Sequence, residues 1–91
     1  IYDIIRLVMA KLKKLVRKML NAPAYLPLEE VRKVLEDFGY ELVNQRGSHM
    51  SFMNGDGDQI TLISIQGKRI ARTYVKRVVG LLGLEEWYDE Q

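Results

Sequence analysis

His49 is the single histidine of a 91-residue chain that has no cysteine, and it stands in the stretch Gln45-Arg46-Gly47-Ser48-His49-Met50-Ser51-Phe52. Histidine changes charge near neutral pH, so it is the side chain best placed to move a proton under physiological conditions. Arg46 lies three residues before it and Ser48 directly before it. A base beside a cation is a combination that works on phosphate esters: the base takes a hydroxyl proton and the cation stabilises charge growing on phosphorus. RNA supplies that hydroxyl itself, as the 2′-OH next to the scissile phosphate. His49 is therefore assigned as general base or acid. Arg46, Lys68 and Arg69 are candidates for phosphate contact, and Ser48 and Ser51 for hydrogen-bonding a phosphate or orienting the ring. The second proton-transfer partner is open between Tyr74 and water. Asp56 and Asp58 have no other carboxylate at ligand spacing, so no metal site and no cofactor are expected. An exposed histidine with no role is the plain alternative for His49.

These residues need a frame. From Ser48 to Met53 apolar and polar residues alternate, which is the period of a strand. Met50 and Phe52 then face the core, and His49, Ser51 and Met53 face outward. Asn54-Gly55-Asp56-Gly57 reads as a tight hairpin turn. A strand over 40–44 precedes this one and a strand over 59–65 follows it. Residues 1–20 read as an amphipathic helix, with Ile1, Ile5, Val8, Leu12, Leu15 and Met19 on one stripe that Ile4, Val16 and Leu20 widen. Asn21-Ala22-Pro23 ends it. Residues 24–27 read as a linker. Pro27 opens a second helix over 28–38, and Gly39 closes it. Gln66 to Arg69 reads as a loop, and residues 70–82 as the last helix, with Ile70, Val75, Val78, Val79 and Leu82 inward. Lys68, Arg69 and Arg72 fall at the start of that helix. Residues 84–91 read as a tail in which Trp87 and Tyr88 dock on the domain.

The expected fold is therefore α+β, with an α-β-β-β-α order. Two helices cover one face of a three-stranded antiparallel sheet, and an extra amphipathic helix precedes them. Residues 1–22 form that helix and residues 23–91 the domain with its short tail. The order is that of the double-stranded-RNA-binding domain, which reads RNA by shape and through cations at its second helix. Lys68, Arg69 and Arg72 occupy the corresponding place.

Charge is unevenly spread. Residues 1–22 hold six Lys/Arg against Asp3, and residues 44–80 hold six against Asp56 and Asp58. Acids gather in 29–41 and 85–90. Such separation is what an anion-binding face produces, and ordinary solvated surface produces it too. No apolar run approaches the roughly 18 residues of a membrane span. The absence of cysteine fits a reducing compartment, and a cytoplasmic location is expected. For the N-terminal helix three readings stay open: packing on its own domain or on a copy of itself, lying on a membrane surface, or contacting phosphates.

The segment Leu35-Glu36-Asp37-Phe38-Gly39-Tyr40-Glu41-Leu42-Val43, followed by Gln45-Arg46-Gly47-Ser48-His49, Asn54-Gly55-Asp56-Gly57, Gly67-Lys68 and a helix ending at Gly83-Leu84, resembles the HicA toxin family. The resemblance spans about 28–84. It implies an mRNA interferase of a type II toxin–antitoxin pair, a HicB-type antitoxin as partner, mRNA as substrate, and His49 as the catalytic histidine. Many members carry Pro-x-His ahead of the Gly-Lys, where this chain has Ile63-Ser64-Ile65-Gln66. A non-catalytic RNA-binding module of the same fold, and a protein-interaction module acting through the N-terminal helix, are the competing functions.

Overall fold

The computed structural model describes residues 2–91. In chain order the elements are α1 (Tyr2–Leu20), β1 (Tyr25–Pro27), α2 (Leu28–Asp37), β2 (Glu41–Arg46), β3 (His49–Met53), β4 (Gln59–Ile65), β5 (Arg69–Ala71), α3 (Arg72–Leu82) and α4 (Leu84–Asp89). The fold is α+β, as expected, but the sheet has five strands rather than three. Its order is β1-β5-β4-β3-β2, and every neighbouring pair is antiparallel.

The two additional strands are Tyr25–Pro27, read above as linker, and Arg69–Ala71, read as loop and helix start. Leu26 pairs with Ile70, and Ser64 pairs with Ile70 from the other side. Ile70 is thus a central strand residue, fully buried, and α3 begins two residues later. Ile70 lies eight residues before Val78, a helix-compatible spacing, so periodicity alone reads it as part of the helix.

Two layers of helix lie behind the sheet. α2 and α3 pack on it directly, and α1 and α4 pack on those helices. The core joins Leu26, Leu28, Val31, Val34, Leu35, Met50, Phe52, Leu62, Ile70, Val75 and Val78 with Leu12, Val16 and Met19 of α1 and Leu84 of α4. Met50 and Phe52 point into it as the alternation demands. Burying the Phe52 ring alone is worth about 2–3 kcal/mol. Pro27 precedes the first turn of α2, where Glu29 and Glu30 favour the positive end of the helix dipole. The Leu28 amide, which has no partner within its helix, donates to the Lys68 carbonyl at 2.9 Å.

Trp87 and Tyr88 do dock, on a short helix rather than a tail. Trp87 meets the edge of Phe38 with ring centroids 5.5 Å apart, and Lys13 lies over the Tyr88 ring at 5.4 Å. Only the second half of α1 is covered: Leu12, Val16 and Met19 are buried, with Leu15 and Leu20 partly so. Tyr2, Ile4, Ile5, Leu7, Val8 and Met9 are 40–80% exposed. Ile5 and Val8 continue the same stripe beyond the domain with nothing against them. Ile1, the first residue of the predicted stripe, lies outside the described residues.

Candidate functional site

The site grows from a two-residue turn. β2 and β3 are joined by Gly47-Ser48, and the pairing places Arg46 directly opposite His49. Gly47 has φ 57° while Ser48 is not among the residues with positive φ. Glycine at the first central position is the pattern of a type II′ hairpin turn, whose twist matches that of paired strands. Directly opposed residues carry Cβ atoms about 4.5–5.5 Å apart, so the guanidinium of Arg46 is within reach of anything bound at the imidazole. The Ser48 carbonyl receives hydrogen bonds from the Ser64 amide at 2.9 Å and its hydroxyl at 3.4 Å. Ser64 is the buried polar residue of the core face, and it fastens the turn to β4. A main-chain role for Ser48 is therefore visible.

Register then defines the outer face of the sheet. His49 pairs with Ile63, Ile65 with Arg69, and Tyr25 with Ala71. Continuing the β4–β5 register sets Ile63 level with Ala71. Arg46, His49, Ile63, Ala71 and Tyr25 therefore form one row across all five strands. Arg69 stands one step along, between Ile65 and Pro27. Its guanidinium lies over the Tyr25 ring, 4.7 Å from the centroid. Lys68 is exposed in the adjoining β4–β5 turn, where Gln66 and Gly67 take positive φ of 54° and 67°. Beside His49 on the same face, the Ser51 and Thr61 hydroxyls share a hydrogen bond of 3.0 Å.

Charge on the face is divided between its two ends. Arg46, Lys68 and Arg69 stand at the His49 end, and Glu41, Asp56 and Asp58 at the other. Asn54 builds the acidic end: its Oδ1 accepts from the amides of Asp56 at 3.1 Å and Asp58 at 2.8 Å. Ion pairs among the described residues join Lys18 to Glu30, Arg32 to Glu36 and Lys33 to Asp37. None involves Arg46, Lys68 or Arg69, whose charges face solvent. Burial, and then Asp58 and Asp56, raise the Tyr40 phenol above its ordinary value of 10.

Two predicted site residues lie elsewhere. Arg72 directs its Nε to the Ala22 carbonyl at 2.7 Å, and its amide donates to the Ala24 carbonyl at 3.0 Å. It ties the α1–β1 connection to the start of α3 and is not gathered with His49. Tyr74 packs against the core from α3, with Arg77 over its ring at 5.2 Å. The sheet lies between it and His49. Conversely, Tyr25 and Thr61 belong to the face and were not singled out. The exposed–buried–exposed alternation of Tyr25-Leu26-Pro27 is the one local signal, and three residues are too few to read from sequence.

The site is an open surface rather than a pocket. A cleft of 450 Å³ lies among α1, α3 and α4, lined by Met19, Leu20, Lys76, Val79 and Glu86 among others, on the helix side. A helix-free face with cations at one end admits an extended polyanion more readily than a small molecule, which needs enclosure. Among the described residues no group of His and carboxylates is placed to hold a metal ion, and no helix is long and apolar enough to cross a membrane.

A family model described as the HicA toxin of bacterial toxin–antitoxin systems matches residues 28–84, well over half of the chain. Comparison with curated proteins and with solved structures returned no match. The matched span runs from the start of α2 through α3 and contains Arg46, His49, Lys68 and Arg69. The chain belongs to the HicA toxin family.

Proposed function

We propose that this toxin is an endoribonuclease that cleaves mRNA on the outer face of its sheet, with His49 as the proton-transfer residue. The observation that carries the reading is the direct opposition of Arg46 and His49 on an exposed, cationic face. In the proposed step His49 accepts the proton of a 2′-hydroxyl. The 2′-oxygen forms a bond to phosphorus as the bond from phosphorus to the 5′-oxygen breaks. A 2′,3′-cyclic phosphate and a 5′-hydroxyl result, the leaving oxygen taking a proton from solvent. Arg46 stabilises the phosphorane charge, with Arg69 and Lys68 holding neighbouring phosphates. The step calls for no metal.

The test is cleavage of a defined RNA by the parent and by His49→Ala, with the product ends analysed. The reading requires cyclic phosphate ends from the parent and a loss of about a hundredfold or more in the variant. Equal cleavage by the two proteins would sink it. RNA binding with no cleavage by either would favour a non-catalytic module.

Family membership makes a HicB-type antitoxin the proposed protein partner, and mRNA as substrate places the activity in the cytoplasm. A second interaction is favoured by α1. Its first turns expose six large apolar side chains on eight residues, and their charges, Asp3 and Arg6, balance. Two copies can pair these turns without net repulsion, so self-association through α1 is the proposed use of the helix.

A further inference from the structure

We propose that Tyr25, backed by Arg69, forms a base-stacking recess that holds one nucleobase of a single-stranded RNA beside the cleavage site. The inference rests on the nuclease reading above and adds a recognition element that lies outside the matched family span.

Three observations converge on it. First, Tyr25 is 49% exposed although a guanidinium lies over its ring. An aromatic ring with a cation on it and open area beside it is a stacking platform for any base. Second, Tyr25 forms a wall of a recess of 320 Å³ at the β1 edge of the sheet with Pro23, Leu26 and Pro27, and Lys18, Asn21 and Glu30 close it on the helix side. Three flat apolar walls fit a planar base, and an amide offers both a donor and an acceptor to its edge. Lys18, also on the rim, is held by Glu30 at 3.2 Å and so does not compete for the base. Third, the register puts Tyr25 in the same transverse row as His49, three strand spacings away. That is about 14 Å at ~4.8 Å per spacing, or about four nucleotides of stacked strand at ~3.4 Å each.

The geometry explains why Arg69 sits where it does. A guanidinium stacked on Tyr25 rigidifies the ring and leaves its N–H edge free for the phosphate between the recess and His49. A duplex cannot place a base in this recess without opening. The recess therefore selects single-stranded RNA, and it sets the distance between a held base and the cut.

The experiment measures binding of short fluoresceinated single-stranded RNAs to the His49→Ala protein by anisotropy, with one abasic position moved along the strand. Tyr25→Leu is expected to bind about tenfold more weakly and Tyr25→Phe to bind like the parent. One abasic position should weaken binding by a similar factor, and should cost nothing further in Tyr25→Leu. The proposal is overturned if no abasic position matters, if Tyr25→Leu binds normally, if the two losses add, or if no RNA binds at all. The abasic series needs no folded Tyr25 variant, so it decides the matter even if Tyr25→Leu misfolds. Cleavage that depends on His49 but not on Tyr25 would remove this inference alone. Coupled abasic losses in a protein whose cleavage ignores His49 would remove the nuclease reading and leave the recess standing.

Discussion

Arg46 and His49 face each other across a hairpin whose turn is only two residues long. Their relationship does not depend on side-chain packing; it depends on Gly47 holding a positive φ of 57°. A residue with a Cβ is strained there by about 1–2 kcal/mol. Gly47→Val should lower the thermal midpoint by about 4–8 °C per kcal/mol in a domain of this size. It should also reduce RNA cleavage by more than the lost stability explains, because the two residues lose register. A variant that melts earlier yet cleaves normally at low temperature would show that the opposition is unimportant.

Arg46→Ala should lower the cleavage rate by about tenfold to a hundredfold while weakening RNA affinity far less, since its charge is matched to the transition state. Single-turnover rates at saturating RNA separate the two effects. Equal losses in rate and affinity would demote Arg46 to a phosphate anchor.

Arg72 and Arg69 should part company. Arg72→Ala breaks the bond to the Ala22 carbonyl and is expected to cost about 1 kcal/mol of stability, with RNA binding retained. Arg69→Ala is expected to leave the melting midpoint nearly unchanged and to weaken RNA binding, most visibly at low salt. Denaturation curves and a salt titration of binding read the difference.

Tyr40 sets an alkaline limit. Its raised pKa means that the folded chain keeps the phenolic proton to higher pH than the unfolded chain does. Its contribution is complete below about pH 10. It is then lost as pH rises through the folded value. Chemical denaturation of the parent and of Tyr40→Phe should run in parallel below pH 10 and diverge above it, the parent losing stability faster.

The exposed start of α1 is testable through Ile5 and Val8 together. Ile5→Asp with Val8→Asp should leave the domain folded, because neither side chain is buried. Light scattering across a concentration series should show that the double variant stays monomeric where the parent self-associates.

Much of the strand frame around the candidate site was legible from sequence because its periodicity is local. His49, Met50, Ser51 and Phe52 alternate, and a strand sorts alternating residues onto opposite faces without reference to anything else. Gly39 and Gly83 marked helix ends for the same reason. The strands that hold Tyr25 and Ile70 were not legible, although the inward side of Ile70 was. Each of the two residues lies in a three-residue strand, and the pairing of β1 with β5 joins partners some 45 residues apart, which leaves no local pattern. Arg72 shows a different limit of local reading. Its position at a helix start matches a phosphate contact, but a carbonyl from the α1–β1 connection reaches it first.

All four helices lie behind the sheet, and the row from Arg46 to Tyr25 is bare. If the proposed reaction runs there, such a surface has no resting posture of its own. Nothing must swing open before substrate arrives, and nothing in the described chain can shut it. On the proposed reading, restraint would come from an occupant that physically covers the row, and activity would follow the head count of toxin over cover. A cell carrying such a protein would sense the ratio of two abundances, with a threshold at parity, rather than the concentration of any signal molecule.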